Sequence, residues 1–279
     1  MNIIQRITTS DKNVSDNKSN LQKISLDQLR INPIPNSKNE VWRLTNKSKF
    51  YRFLDFKYSN DFYAPDIPGY ASMQNICRII IGENKRIKLK EDKWEIKELT
   101  EEEIFNFLQK KIIKADTTNN WCNLLNHFLT DEKNIIGLNI SGKEIPHLEI
   151  ICNSMNNFLN AKTLIINIEE DTSVSITQIN IGDKNSALST SSYFNIGKDS
   201  VVNHGIISYG KNKSHIINTL NVWQHKNSEY NLGSLQFEYD FGRLEISIDQ
   251  VEGNAKTNIK GIQITKNNEQ ISTYANIEF

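Results

Sequence analysis

The sequence predicts a mainly β protein preceded by a helical N-terminal region, and three observations carry this prediction. First, apolar side chains recur at every second position in much of residues 173–279, as in Leu244, Ile246 and Ile248, which is the period of half-buried strands. Second, glycine and asparagine break this segment into short runs. Third, two apolar stripes with helical spacing lie within residues 100–128.

The composition and the cysteines narrow the class of protein. The 279 residues suggest about two domains. The 33 basic residues balance 33 acidic ones, so the chain lacks the positive field typical of nucleic-acid-binding proteins, and no nucleic-acid partner is expected. Cys77, Cys122 and Cys152 are odd in number and widely spaced, which argues against a disulfide framework and favours a reducing compartment.

Residues 1–20 are polar, lack the apolar centre of a signal peptide, and are expected to be a disordered tail. No apolar run approaches the roughly 20 residues of a membrane span, so no membrane association is expected. The predicted location is the cytoplasm, or the plastid stroma if the gene is encoded by an organelle.

Residues 21–133 are predicted to form an α-rich domain with a small β element. Ser25 is expected to cap a short helix. Thr100 and Glu103 have the spacing of a capping box, which predicts the start of a second helix, and a third is predicted to begin at Thr118.

Two further features of this region are predicted. Trp42 stands in a charged segment and is expected to be buried beneath neighbouring helices. The runs Cys77–Ile81 and Trp94–Ile96 are expected to pair as a small hairpin.

From residue 134 the period changes to that of strands. Leu164–Ile168 is apolar at both parities, which predicts a strand covered on both faces. The alternation of Leu235, Phe237, Tyr239 and Phe241 predicts one strand through all four residues. The predicted strands are Ile135–Ile140, Leu148–Cys152, Leu164–Ile168, Ser173–Ile181, Thr190–Asn195, Ser200–Ser208, Ser214–Trp223, Glu229–Phe241, Leu244–Gln250, Thr257–Ile264 and Gln270–Phe279.

Three architectures fit residues 134–279: a β-sandwich of hairpins, a closed barrel, and a β-solenoid in which each coil pairs in parallel with the last. Turn spacing does not choose between them. The Asn-Gly and Asp-Gly pairs typical of tight hairpins are missing, which mildly disfavours hairpins. No strict short repeat is visible, so a solenoid is expected to be irregular.

Candidate chemical groups are scattered through the β half. His204, His215 and His225 have irregular spacing and no nearby cluster of cysteines or carboxylates, so we expect strand or surface histidines rather than a metal site. Asp199, Ser200 and His204 include the residue types of a hydrolytic triad, but the Gly-x-Ser-x-Gly elbow is missing.

The remaining candidates are a thiol and three glycines. Gly182, Gly197 and Gly210 stand at turns and open no helix, which argues against a phosphate cradle. Cys152 lies in a β run and is expected to be a buried thiol. No catalytic, cofactor-binding or metal-binding residue is predicted.

Three segments, in order, resemble one known family. Lys38–Thr45, KNEVWRLT, resembles the (R/K)-x-E-x-W-(R/K)-x-T segment near the N-terminus of the SufB/SufD family. Ile79–Leu99 is similar to that family's next strand, variable loop and short run before a helix. Gly242–Glu245 with Val251–Ile262 resembles its G-x-R-hydrophobic … L-x-G-x-x-A-x-x-x-x-x-G stretch. The long helical N-terminal segment is more similar to SufD than to SufB.

The resemblance implies a fold and a role. SufD-like proteins have a helical N-terminal region, a right-handed parallel β-helix core and a helical C-terminal region, so residues 134–279 are expected to form that β-helix. SufD-like proteins are non-enzymatic scaffold subunits of the SUF system that pair with a SufB-like paralogue and bind a SufC-like ABC-type ATPase. The assembled complex handles an iron–sulfur cluster, and no cofactor is expected on this chain itself. Strand addition is the expected mode of pairing with the paralogue.

The sequence departs from the family at its end. It stops at Phe279 inside an alternating strand, before the family's histidine-bearing final coil and the C-terminal helices that grip the ATPase. The resemblance therefore implies a C-terminally truncated member, and none of the family's functional residues can be carried over to a position here. A last coil without a cap is expected to pair edge to edge or to aggregate.

Two other classes of β-helix protein stay open, polysaccharide lyases or hydrolases and secreted adhesins. Such enzymes usually have clustered acids and bases along one sheet together with a secretion signal, and neither is evident in the sequence.

Overall fold

The computed structural model describes residues 3–8, 19–36, 38–65, 76–83, 88–114 and 120–279. The α-helices are Ile3–Thr8 (α1), Asn20–Ile31 (α2), Lys47–Asp55 (α3), Glu101–Lys114 (α4) and Trp121–Leu129 (α5), with 3-10 turns at Glu40–Trp42 and Glu132–Asn134. The first strands are Lys57–Tyr58 (β1), Ile76–Ile80 (β2), Lys88–Glu91 (β3), Trp94–Glu98 (β4), Ile135–Gly142 (β5), His147–Asn153 (β6) and Phe158–Ile168 (β7). The others are Ser173–Gly182 (β8), Ala187–Ile196 (β9), Val201–Gly210 (β10), His215–Gln224 (β11), Glu229–Phe237 (β12), Phe241–Gln250 (β13), Lys256–Ile264 (β14) and Gln270–Glu278 (β15).

The strands from β5 onward alternate between two sheets. Sheet A has the order β15-β13-β11-β9-β7-β5-β4-β3, with β1 beside β7, and sheet B has the order β14-β12-β10-β8-β6-β2. Strands β5 to β15 pair in parallel throughout, and β4 joins β3 and β5 in antiparallel pairs. The chain is mainly β, with 49% strand and 21% helix, and forms a β-solenoid of about five turns from residue 135. The parallel pairing confirms the solenoid among the three architectures that the sequence allowed.

The coils have a nearly constant length that the sequence did not reveal. Asn203 and Asn231 are register partners on successive coils, joined by a hydrogen bond across a separation of 28 residues. The next step, from Asn231 to Asn258, is 27 residues. Other steps are 26 residues, from His215 to Phe241, and 29 residues, from Phe241 to Gln270, so the coils are similar in length but, as expected, follow no strict repeat. The repeat keeps the direction of each side chain rather than its identity, and this hides the period from inspection of residue types.

Corners with a left-handed backbone separate the strands. Several corner residues have φ between 48° and 65°, a region that asparagine and aspartate enter more readily than other non-glycine residues; they are Asn157, Asp171, Asn185, Asp199 and Asn227. Glu238 has φ of 61°. The predicted continuous strand Glu229–Phe241 is thus wrong, because this corner ends β12 at Phe237 and β13 begins at Phe241.

Two apolar cores share the wall of sheet A. Leu164 and Ile166 of β7 point into the solenoid core, whereas Leu159 and Ile165 pack with the helices on the outer face of the sheet. All four are 0–1% exposed. This confirms the prediction of a strand covered on both faces, and it shows that the helical region builds its core against sheet A.

Three predictions for the N-terminal region need correction. The expected disordered tail includes α1, whose Ile3 and Ile7 are buried in the outer core, so for these six residues the prediction is wrong; residues 9–18 lie outside the described residues. Ser19 caps α2 in a capping box with Gln22, and Ser25 is buried inside the helix rather than at its start. An earlier hydroxyl with a glutamine three residues on outcompetes Ser25 as the cap.

The predicted hairpin is also wrong. The run from Cys77 belongs to β2, which pairs in parallel with β6 in sheet B, while Trp94–Glu98 pairs with β5 in sheet A. Tertiary pairing with the solenoid replaces the local pairing of two short runs. The Thr100–Glu103 capping box is confirmed, because the Glu103 amide donates to Thr100 Oγ1 at 3.2 Å and the Thr100 amide donates to the Glu103 carboxylate at 2.8 Å. Thr118 lies outside the described residues.

Candidate pairing surface at the open end of the solenoid

The last coil, β14 and β15, has a neighbouring coil on one side. β14 pairs with β12 and β15 with β13, in each case along nine residues. In the part of the chain that the structure describes, no strand pairs with the opposite edges of β14 and β15. A row of backbone N–H and C=O groups on such an edge is a template for an added strand.

The last coil also exposes apolar side chains. Ile262 and Ile264 on the outer face of sheet B are 62% and 56% exposed. Ile259 and Ile277 pack against the solenoid core but stay half-buried. Ile262 belongs to a row of register partners that runs back through the coils to Ile179, three coils earlier. Ile179 is 4% exposed, so the same position is buried at the start of the row and exposed at its end. An exposed apolar row beside an unpaired edge is typical of an interaction surface.

Residues 41–49, which we call the N-terminal strap, contact the last two coils through Arg243 of β13. The Arg243 guanidinium donates from Nη2 to the Val41 carbonyl and from Nη1 to Thr45 Oγ1, both at 3.1 Å, and from Nε to Glu245 at 2.6 Å. Its Cζ lies 3.9 Å from the centroid of the Trp42 ring. The side chain is 3% exposed, so its charge is both paired and shielded from water.

A second set of strap contacts reaches the corner before β15. Lys49 Nζ forms an ion pair with Asp240 at 2.8 Å and also donates to the Asn268 carbonyl. The Asn46 amide donates to Gln270 Oε1, and Gln270 Nε2 donates to the Leu44 carbonyl, both at 2.9 Å. The strap therefore holds the start of the last strand, although Asn46 and Gln270 are 224 residues apart in sequence.

The strap joins the first and the third of the three segments that carry the family resemblance. Trp42, from Lys38–Thr45, is 4% exposed and packs on Phe50 at 4.8 Å between ring centroids, so its predicted burial is confirmed. Its other neighbour is Arg243, from Gly242–Glu245. Sequence reasoning identified both segments but not their contact, and it missed Lys49 and Gln270 because their partners are mostly backbone atoms.

The histidines are separate from one another. His204 lies inside the solenoid, where Nδ1 is 2.8 Å from the Tyr230 hydroxyl, and burial lowers its pKa to about 3. His215 is buried near the strap with Nε2 3.5 Å from Asp240, and burial, partly offset by Asp240, lowers its pKa to about 4. His225 is half-buried at a corner, 3.4 Å from Glu252. The structure thus does not bring them together.

Ser200 and Asp199, two of the residue types of a hydrolytic triad, have structural contacts rather than catalytic ones. Ser200 Oγ donates to the Glu169 carbonyl at 2.7 Å and accepts from the Thr172 amide at 3.0 Å, so it braces a corner. The Asp199 carboxylate accepts from Asn227 on the next coil at 2.9 Å. These contacts are those of structural residues.

Two buried groups lie at the first coil. Cys152 is 1% exposed, as predicted for a buried thiol, and burial raises its pKa to about 12. Lys162 is 3% exposed and donates to the Ile81 carbonyl at 2.9 Å and to Asn134; burial lowers its pKa to about 8. Both groups belong to strands β6 and β7, at the opposite end of the solenoid from β14 and β15.

A search of the described residues finds no group of three or more histidine, cysteine, aspartate or glutamate side chains able to hold a metal ion. Within the same residues, none of the helices has the length and apolarity needed to cross a membrane.

Comparison with known protein families gives a match within the β half of the chain. Residues 150–279 match the family model for the SUF system FeS cluster assembly, SufBD core domain. A search of curated proteins gave no match. The matched segment covers the solenoid from β6 to the open end, including Arg243 and both edge strands. The parallel solenoid and this match make residues 150–279 similar to the core domain of the SufB/SufD family of SUF iron–sulfur cluster assembly proteins.

Proposed function

We propose that this chain is a SufD-like, non-catalytic scaffold subunit of the SUF complex, and that the open edges of β14 and β15 pair with a SufB-like paralogue. The observation that carries the proposal is the pair of parallel edges that no described strand covers, beside exposed apolar side chains and within a segment that matches the SufBD core domain. The iron–sulfur cluster is cargo of the assembled complex, and no residue here is assigned to hold it.

Strand addition supplies affinity and register together. Main-chain hydrogen bonds along the nine residues of each edge strand give affinity, and the alternating side chains give specificity. On β14 the outward residues Ile262 and Ile264 would lose their exposed surface when the partner extends sheet B. Two edges, one on each sheet, fix the angle between the two solenoids.

The N-terminal strap gives the edge a defined position before the partner arrives. Gln270 and the Asn268 carbonyl, at the start of β15, are bound to Leu44, Asn46 and Lys49. A prearranged edge loses less conformational entropy on pairing than a frayed one. The strap thus assigns a role in pairing to the helical region, the feature in which this chain is more similar to SufD than to SufB.

The ATPase contact is a further part of the proposal. A SufC-like ATPase is proposed to bind the complex that this chain forms with its paralogue, and none of the residues described here is assigned to that contact. A cytoplasmic or plastid location fits this role.

The test is co-purification. The tagged chain is co-expressed with the SufB-like paralogue from the same source, with and without the SufC-like ATPase. The proposal expects a complex of this chain with the paralogue in both cases. Retention of the paralogue by an Asn203→Lys variant, exposed on the same sheet two coils earlier, serves as the matched control.

The informative variant is Ile262→Lys with Ile264→Lys. Lysine on an exposed edge strand opposes pairing by charge and by the cost of its burial, so the paralogue should be lost. Equal recovery with this double variant and with the control would contradict pairing through β14. Cleavage of pectate or a similar glycan by the purified chain would instead favour a carbohydrate-active enzyme.

A further inference from the structure

The interior of the solenoid contains a column of polar side chains. Thr190 of β9 and Asn218 of β11 point inward as register partners on consecutive coils, and each is 1% exposed. The inward residues before them, Leu188 and Ile216, belong to the apolar core, whereas Ser192, the inward residue after Thr190, donates to Gln178 Oε1 at 2.8 Å. Thr190 Oγ1 and both Asn218 Oδ1 and Asn218 Nδ2 have no hydrogen-bond partner among the described residues.

Such atoms are unusual in a folded protein. Nearly all buried polar atoms have a hydrogen-bond partner, from the protein or from ordered water, because an unpaired buried group keeps its full desolvation cost. An asparagine with neither its carbonyl nor its amide satisfied is the least favourable side chain for this lumen. The position therefore requires a ligand that donates and accepts.

A second polar column lies on the opposite sheet. Asn180, Ser208 and Gln236 are successive register partners in sheet B. Asn180 Nδ2 donates to Ser208 Oγ at 3.0 Å, which leaves Ser208 with a hydroxyl able to bind a further group. The side chains of the two columns are neutral and polar, whereas Phe194 and Val222, register partners further along β9 and β11, belong to the apolar core.

The two columns face each other across the lumen. At the open end, Gln236 and Gln263 of the sheet B column both donate to Thr273 Oγ1, at 3.3 and 2.5 Å. Thr273 belongs to the sheet A column that begins with Thr190 and Asn218. By this repeat, Ser208 occupies the position opposite Asn218 in its own coil.

We infer that the lumen contains a buried water site between Thr190, Asn218 and Ser208. Water both donates and accepts, as the free amide requires, and a buried water typically makes about three hydrogen bonds. An ion is a poorer match because every side chain of the two columns is neutral. The site links consecutive coils across the core, with the Ser192–Gln178 hydrogen bond on one side of Thr190 and apolar residues such as Leu188 and Ile216 on the other.

The test counts long-lived internal waters by oxygen-17 magnetic relaxation dispersion on the full chain. The variant Asn218→Leu fills the same space without polar atoms and continues the apolar rung of Leu244, its partner on the next coil. The matched control is Leu220→Val, an inward residue of the same strand. We expect at least one long-lived water fewer in Asn218→Leu than in the wild type, and no change in the control.

Thr190→Val provides a milder second variant if Asn218→Leu does not fold, and it should weaken or remove the same signal. Equal water counts in the wild type and in the folded variant would overturn the site. A high-resolution crystal structure in which Asn218 bonds directly to protein atoms, with no solvent peak beside it, would overturn it as well. A solvent peak within hydrogen-bond distance of Asn218 and Thr190 would support it.

Discussion

The middle coils and the last coil have the same alternating sequence but different surroundings. β9 and β11 are paired on both edges and are covered on the outer face by α5, so their residues are buried on both the inward and the outward face. β14 and β15 are paired on one edge, and most residues of β14 are exposed. The alternation reports the direction of each side chain, whereas neighbours decide its burial. The difference shows where the molecule is built for stability and where it is available for association.

The N-terminal strap lies between these two extremes. Its contacts with Arg243, Asp240 and Gln270 are polar and specific, whereas α5 meets sheet A over a broad surface. The strap therefore positions the last coil and contributes less apolar burial than the helices do.

The largest effect is expected for a cavity in a middle coil. Phe194 is fully buried, and Phe194→Ala should lower the free energy of unfolding by about 3–5 kcal/mol. Ile259→Ala in the last coil, where the side chain is half-buried, should cost about 1 kcal/mol because less surface returns to water. Urea denaturation of both variants measures this. Equal losses would contradict the contrast between the coils.

Loss of Arg243, the β13 residue that the strap contacts most, should come next. Arg243→Ala leaves Glu245 shielded without its partner and uncovers Trp42, so we expect a loss of about 3 kcal/mol. Lys198→Ala, which removes an exposed pair with Glu170 at 4.0 Å, should change stability by less than about 0.5 kcal/mol. Urea denaturation, with limited proteolysis to locate the loosened segment, checks both. Proteolysis confined to the middle coils of Arg243→Ala would argue against the strap.

Low pH should reduce the free energy of unfolding through the buried histidines. His127 of α5 lies with Nε2 2.6 Å from the Tyr193 hydroxyl. Burial lowers the pKa of His127 and His204 from 6.5 to about 3 and that of His215 to about 4, so the unfolded chain takes up protons first as the pH falls. Stability is then complete above pH 6.5 and decreases below it, by about 1.4 kcal/mol per histidine at pH 5.5. His127→Gln should remove one such contribution. An unchanged dependence on pH between 7.5 and 5.5 in urea denaturation would contradict the burial of this histidine.

Substitution of the exposed Ile262 should change stability least and self-association of the chain most. Ile262 is 62% exposed, so Ile262→Lys should alter the free energy of unfolding by less than about 0.5 kcal/mol. The wild-type chain should self-associate through its unpaired edges, and the variant should shift toward the monomer. Sedimentation at several concentrations measures this. A wild-type chain that stays monomeric throughout would contradict an adhesive edge.

Much of the fold could be predicted from residue patterns, because those patterns depend on contacts between residues that are close in sequence. Leu164–Ile168 indicated a strand covered on both faces, because apolar residues at both odd and even positions are stabilised only when both faces are buried. The Thr100–Glu103 capping box needed atoms within one helical turn. The pairing of β2 with β6 could not be read in this way, since it joins distant partners such as Arg78 and Glu149, which are 71 residues apart.

The candidate surface was harder to predict for the same reason. The resemblance located both motif segments, but the contact between Trp42 and Arg243 depends on how the helical region docks on sheet A. Contacts such as that of Lys49 with a backbone carbonyl leave no pattern in side-chain types. The nearly constant coil length was hidden because ladder positions change from Leu148 through Ile176 to His204 while keeping their direction.

Hydrogen–deuterium exchange of the chain, alone and mixed with its SufB-like paralogue, tests the central claim most directly. Pairing at the open end predicts that amides of residues 256–278 become protected on mixing, while those of residues 187–224, already paired on both edges, do not change. Protection that appears elsewhere on the solenoid, or no protection of residues 256–278 in a mixture that forms a complex, would contradict it.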